Sequence, residues 1–230
     1  MTVGRTLVVF DAFGTLFDVD SAVRRLAATP QGAALAPKAA EVARDWRTKQ
    51  LEYSWWRAIT GIHADFAQVT ADGLDWALDA AGVAGAGLRA PLLDLYRRLD
   101  AYPEVPAMLR RLKDEDRRTA ILSNGSPEML TAAVTSAGVA EAFDAVLSVE
   151  AAGVFKPARA VYDLVGAAFG SEPGDVLFVS SNGWDAAGAA AYGFDTVWVN
   201  RAGAPPDRLP GTPARILPDL SRIPELAASP

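Results

Sequence analysis

Apolar residues fall in short unbroken runs along the chain, at residues 7–10, 119–122, 145–148, 176–179 and 196–199. Runs of this length, rich in β-branched side chains, predict strands buried on both faces. Between the later runs the spacing turns helical, with starts near Pro127, Ala158 and Trp184 and with Gly138, Gly170 and Gly193 where helices should end. Strands alternating with helices predict an α/β fold built on a parallel sheet. A weaker strand is expected at 215–217, and a short closing turn at 220–226.

The first and second runs are separated by residues 11–118, several times what one crossover helix requires. The pattern from about 21 to about 99 is helical, clearest from 39 to about 60, with a further pair near 72–81 and 88–99. The expected organisation is a core of residues 1–20 and 100–230, with 21–99 forming a helical cap over the sheet. There is no internal repeat, and the alanine-rich stretch 186–191 reflects helix propensity.

Composition narrows the chemistry. Half of the 230 residues are apolar and 22% are charged, enough for one sizeable core plus a small subdomain. A net charge of −6 leaves no basic footprint for nucleic acid or an anionic membrane, so a small substrate is the better expectation. No apolar run approaches a membrane span, and none precedes the first strand as a secretory signal would, so the cytoplasm is the expected compartment. There are no cysteines, and His63 is the one histidine. Disulfides, thiol nucleophiles and cysteine-bound zinc are excluded, and a serine triad would depend on His63, which has no nucleophile-elbow partner. His63 follows Gly61, which reads as the end of a helix, and is expected in a loop. Catalysis, if present, falls to carboxylates, hydroxyls, lysine and arginine.

In an open α/β sheet, ligands bind beyond the carboxyl ends of the strands. Here those ends are polar: Asp11-Ala12-Phe13-Gly14-Thr15, Ser123-Asn124-Gly125-Ser126 and Ser180-Ser181-Asn182-Gly183-Trp184-Asp185, with Lys156-Pro157 ahead of another helix. Any one of these segments reads as ordinary turn and capping chemistry. Four of them converging on one sheet edge read as a site.

The segment from Phe10 to Phe17, followed in order by the serine, lysine and acidic segments, resembles the haloacid dehalogenase superfamily. Three longer strings are similar to the type II, or L-2-, haloacid dehalogenases within it: Trp46-Arg47-Thr48-Lys49-Gln50-Leu51-Glu52-Tyr53, Ile121-Leu122-Ser123-Asn124-Gly125-Ser126-Pro127 and Phe178-Val179-Ser180-Ser181-Asn182-Gly183-Trp184-Asp185. The resemblance covers nearly the whole chain and implies a Rossmann-like parallel sheet flanked by helices, with an inserted helical cap. It also implies displacement of halide from a small 2-haloalkanoic acid, with no cofactor.

Phe13 separates this reading from its main rival. Phosphatases of the superfamily place a second aspartate there, to protonate a leaving alkoxide; a halide leaves as a stable anion and needs no proton. Ser180-Ser181-Asn182 likewise stands where phosphatases carry adjacent acids for magnesium, so no metal is expected.

The resemblance implies a role for each residue. Asp11 is the nucleophile, Lys156 keeps it ionised, and Thr15 and Ser180 orient its oxygens. Asp185, with Asn182 and Lys156, positions or deprotonates the hydrolytic water, and Tyr162 supports that network. The substrate carboxylate rests on Ser123 and the N–H groups of Ala12 and Phe13. Arg47 and Asn124 hold the halide, and Leu51, Phe66 and Trp184 form an apolar wall. Tyr53, Trp55 and Trp56 read as cap packing. Many type II enzymes carry tyrosine where Phe13 stands, so a hydroxyl near the substrate is missing here while the nucleophile and the backbone donors are kept. A magnesium-dependent phosphatase and a catalytically silent binding module remain the alternatives. Oligomeric state is open, with a homodimer as the family's common form.

Overall fold

A computed structural model describes residues 7–228. The apolar runs become β1 (Leu7–Phe10), β2 (Arg118–Ser123), β3 (Ala145–Ser148), β4 (Val176–Ser180), β5 (Asp195–Val199) and β6 (Arg215–Leu217). They form one parallel sheet in the order β3-β2-β1-β4-β5-β6. Every residue of β1 and β4 is buried, as strands covered on both faces should be, whereas the edge strands expose Val146 and Ile216. Phe10 pairs with Ile121 on one side and Val179 on the other, so the polar segments after β1, β2 and β4 emerge side by side. The strand order reverses beside β1, between β2 and β4, the position where α/β sheets open a crevice.

The residues between β1 and β2 carry α1 (Ser21–Ala27), α2 (Ala39–Thr60), α3 (Phe66–Ala80), α4 (Arg89–Tyr96) and α5 (Val105–Asp114). Phe17 bridges both Phe13 and Ala101, so the segments entering and leaving the first four helices run together at the sheet edge. α3 begins earlier than the pattern from 72 suggests, because the Asp65 side chain caps it by accepting from Gln68 N at 2.8 Å. α4 is shorter than 88–99, because the chain after Tyr96 turns back toward the sheet. α2 and α3 cross so closely that a Cβ at Gly73 would lie 3.1 Å from Gln50 N. α5 has no counterpart in the sequence reading. Its signal was legible, since Val105, Met108, Leu109 and Leu112 fall at i, i+3, i+4 and i+7, are all buried, and follow a start marked by Pro106.

The remaining helices, α6 (Pro127–Ser136), α7 (Arg159–Phe169), α8 (Gly183–Tyr192) and α9 (Ile223–Ala228), follow the expected starts, and the closing turn is a helix. Tyr53 packs on the core and Trp55 stands edge-on to Trp184 at 5.5 Å, but Trp56 is 56% exposed and so is not packing. His63 lies in the loop between α2 and α3, with Nε2 2.8 Å from Glu150 Oε2. Among the described residues no helix is long and apolar enough to cross a membrane.

Candidate active site

Asp11 is the first residue beyond β1, tied to the next strand by its N–H donating to Val179 O at 2.9 Å. The chain then turns sharply: the N–H groups of Thr15, Leu16 and Phe17 converge on Ala12 O, and that of Gly14 donates to Phe17 O at 2.8 Å. Gly14 adopts φ +90°, a left-handed backbone that a side chain would strain. The turn brings Thr15 back over Asp11, where its hydroxyl donates to Oδ2 at 2.8 Å. The same hydroxyl accepts from Ser181 N at 2.8 Å, so its proton is committed to the carboxylate. The N–H groups of Ala12 and Phe13 have no protein acceptor among the described residues.

Lys156 is fully buried between two carboxylates, 3.2 Å from Asp11 Oδ1 and 2.9 Å from Asp185 Oδ2. Its own N–H donates to Asn124 Oδ1 at 3.0 Å, which fixes the approach of its loop. Burial by itself pulls the ammonium pKa down, but Asp185 and Asp11 more than offset that and leave it raised. Burial pushes Asp185 up, reinforced by Asp11, while Lys156 and a 2.9 Å hydrogen bond from Tyr162 OH oppose the rise. A carboxylate held above its ordinary range is the better proton acceptor near neutrality.

Arg47, on α2, reaches across to the sheet edge. Its Nη2 donates to Asn182 Oδ1 at 2.9 Å and to Phe13 O at 3.3 Å. Asn182 in turn donates from Nδ2 to Asp11 Oδ2 at 2.8 Å. One amide therefore links the arginine to the carboxylate. Phe13 is buried against Phe66 and Tyr96, with ring centroids 5.9 and 5.6 Å away. Ser123 is buried and accepts from Gly125 N at 3.1 Å, leaving its proton without an acceptor among the described residues. Leu51 is half-buried one turn beyond Arg47. Trp184, also half-buried, lines with Phe155 and Pro157 an apolar cleft of about 590 Å³ on the flank of Lys156.

Two residues do not take their expected places. The Ser180 hydroxyl accepts from Asn182 N at 3.1 Å instead of orienting Asp11, because at the end of β4 it is turned into the start of α8. Asn182 bonds Asp11 and Arg47 rather than joining Asp185 and Tyr162. Sequence reasoning also passed over Gln50, whose Oε1 accepts from Arg47 Nη1 at 2.6 Å. Its i+3 spacing from Arg47 on one helix was the available signal.

Burial of these groups sets a pH limit on the fold. The folded state holds the Lys156 ammonium above its ordinary 10.5, so the stability it contributes is complete below that value and is lost as pH rises past it. Burial raises the phenol of Tyr162, and pushes that of Tyr102 from 10.0 up to about 12; both keep their protons longer in the fold, and their contribution is likewise lost above 10.0. The thermal unfolding midpoint, followed by circular dichroism, should hold to about pH 9 and fall steeply beyond about 10. Tyr102→Phe should blunt that fall; a midpoint independent of pH through this window would contradict the account.

Residues 6–193 match the haloacid dehalogenase-like hydrolase family. The chain belongs to that family. It is 41% identical over 220 residues to an (S)-2-haloacid dehalogenase of Pseudomonas sp. strain YL, covering 95% of this chain and 93% of the other. Among solved structures it is similar to the L-2-haloacid dehalogenase of Xanthobacter autotrophicus with chloropropionic acid covalently bound (TM-score 0.86, 37% identity, 96% and 97% of the two chains). A dehalogenase solved as an intermediate complex superposes with a TM-score of 0.93 at 37% identity, over 100% of both chains.

Proposed function

We propose that the protein is a metal-independent (S)-2-haloacid dehalogenase, with residues 1–20 and 100–230 as catalytic core and 21–99 as the cap that closes over it. The observation that carries this reading is the setting of Asp11. One carboxylate oxygen is held by Thr15 and Asn182, the other by Lys156, and the position two residues on, where a leaving-group acid would be needed for phosphoester hydrolysis, is a phenylalanine.

The substrate carboxylate rests on the free N–H groups of Ala12 and Phe13 and on Ser123. Asp11 attacks Cα from the side opposite the halogen; the new C–O bond forms as the carbon–halogen bond breaks, and the configuration inverts. Arg47 and the Asn124 amide receive the halide, against a wall of Leu51, Phe66 and Trp184, where exclusion of water strengthens the pull of the guanidinium. Asp185, beside Lys156, takes a proton from the water that attacks the carboxyl carbon of the Asp11 ester. The intermediate collapses with the ester C–O bond breaking, the departing alkoxide takes the second proton of that water, and the (R)-2-hydroxy acid leaves; Asp185 returns its proton to solvent and Asp11 is restored as a carboxylate.

The test is turnover of each enantiomer of 2-chloropropionate, with and without a chelator. (S)-substrate should release chloride and give (R)-lactate at an unchanged rate after chelation, and the (R)-substrate should be inert. Consumption of both enantiomers, or retention, would assign the chain to another class of dehalogenase. Phosphatase activity restored by magnesium would replace dehalogenation altogether, and inertness towards both kinds of substrate would leave a binding module.

A further inference from the structure

Gln50 is 1% exposed, yet its amide is fully engaged. Oε1 accepts from Arg47 Nη1 at 2.6 Å and from the Tyr96 hydroxyl at 3.3 Å, while Nε2 lies 2.8 Å from Thr70 Oγ1 and 3.1 Å from Tyr96 OH. The Thr70 hydroxyl commits its one proton to Phe66 O at 2.6 Å, so towards Gln50 it acts as an acceptor. That settles which end of the amide faces which neighbour. The nitrogen must face Thr70, and the oxygen is left pointing at Arg47; reversed, the amide would set donor against donor at Arg47 and acceptor against acceptor at Thr70. The close crossing of α2 and α3 at Gly73 brings Thr70 within reach.

The acceptors around Arg47 share one property. Gln50 Oε1, Asn182 Oδ1 and Phe13 O are all neutral, and no carboxylate among the described residues forms an ion pair with this guanidinium. An arginine fixed by neutral oxygens keeps its full charge. A carboxylate at the same place would hold the same geometry and cancel most of that charge in a site shielded from water.

We propose that Gln50 is a positioning residue for dehalogenation: with Thr70 and Tyr96 behind it, it aims Arg47 at the leaving group while leaving the guanidinium without a paired carboxylate. This rests on the reading of Arg47 as the halide-holding group. Gln50 acts through Arg47 and touches neither substrate nor nucleophile.

The test compares the full chain with Gln50→Glu, Thr70→Val and Arg47→Ala, measuring kcat and KM on chloro-, bromo- and iodoacetate and the inhibition constant of iodide. Gln50→Glu keeps volume and acceptor, and should lose about tenfold or more in kcat near pH 8, most on the chlorinated substrate, with iodide inhibition weakened to a similar degree. The groups facing the introduced carboxyl are Arg47 on its own helix and Tyr96 on α4, with Asp20 near enough to feel Arg47. As pH falls and that carboxyl takes a proton, it presents a carbonyl oxygen to Arg47 and an O–H to Thr70, as the amide does. The ratio of variant to wild-type activity should therefore recover on the acid side.

Thr70→Val unlocks the amide without adding charge. It should give a smaller loss with the same ordering of halides, and it carries the test if Gln50→Glu does not fold. Equal losses on all three halides, with no recovery at low pH, would show that Gln50 only packs α2 against its neighbours. Arg47→Ala separates the two readings. Normal rates and iodide inhibition in that variant would remove the halide site itself, whereas about a hundredfold loss there beside unaffected Gln50→Glu and Thr70→Val would remove the present proposal alone.

Discussion

Asp11→Asn should abolish turnover, by about ten thousandfold or more, while leaving the fold intact. A carboxamide is no nucleophile towards an alkyl halide, and no second carboxylate can substitute: Asp185 is fully buried behind Lys156 and is held by Tyr162. The substitution is nearly isosteric and removes one of two buried negative charges around a single ammonium, so folding should survive. Its complement is a single turnover of the unmodified enzyme in oxygen-18 water. Water attacks the carboxyl carbon of the ester, so the label should appear in Asp11 first, and the first equivalent of hydroxy acid should carry unlabelled oxygen. Label passing directly into that first product would mean that water displaces the halide and that Asp11 is a base.

Lys156→Met should be costly in both stability and rate. The ammonium lies 3.2 Å from Asp11 and 2.9 Å from Asp185, all three side chains being buried. Removing it leaves two facing carboxylates without a counter-charge, a loss of about 3–5 kcal/mol near neutral pH. One of them should take up a proton to relieve the repulsion, so the deficit should shrink as pH falls. The rate should drop about a thousandfold, since the nucleophile loses the cation that favours its ionised form and fixes one of its oxygens. Denaturant titration across pH, with turnover measured alongside, reads both effects. A variant of undiminished stability and activity would show that the buried triad is not the centre of the site.

Much of this site could be read from the chain alone, for a physical reason. Parallel strands buried on both faces must be continuously apolar, so β1, β2, β4 and β5 announce themselves, and the residues after them are displayed at the one edge where an α/β sheet binds ligands. Asp11, Ser123 and Ser180 were legible in that way, while the roles of Arg47, Lys156 and Tyr162 rested on resemblance. Contacts within one helix were half-legible: Gln50 lies at helical spacing from Arg47, and α5 shows a plain apolar stripe.

The partners of each polar group were a different matter. Asn182 and Ser180 sit two residues apart, and nothing in their spacing says that the amide turns to Asp11 and Arg47 while the hydroxyl turns to the backbone of α8. Likewise residues 50, 70 and 96 belong to three helices, and their meeting depends on a crossing tight enough that a Cβ at Gly73 would crowd Gln50 N. Periodicity and strand ends follow from local hydrophobicity, which each short stretch of sequence carries. The direction of a hydrogen bond between distant side chains depends on how whole elements pack, which no short stretch carries. Asp11 and its strand were therefore determined by the sequence, and the neutral seat of Arg47 by the fold.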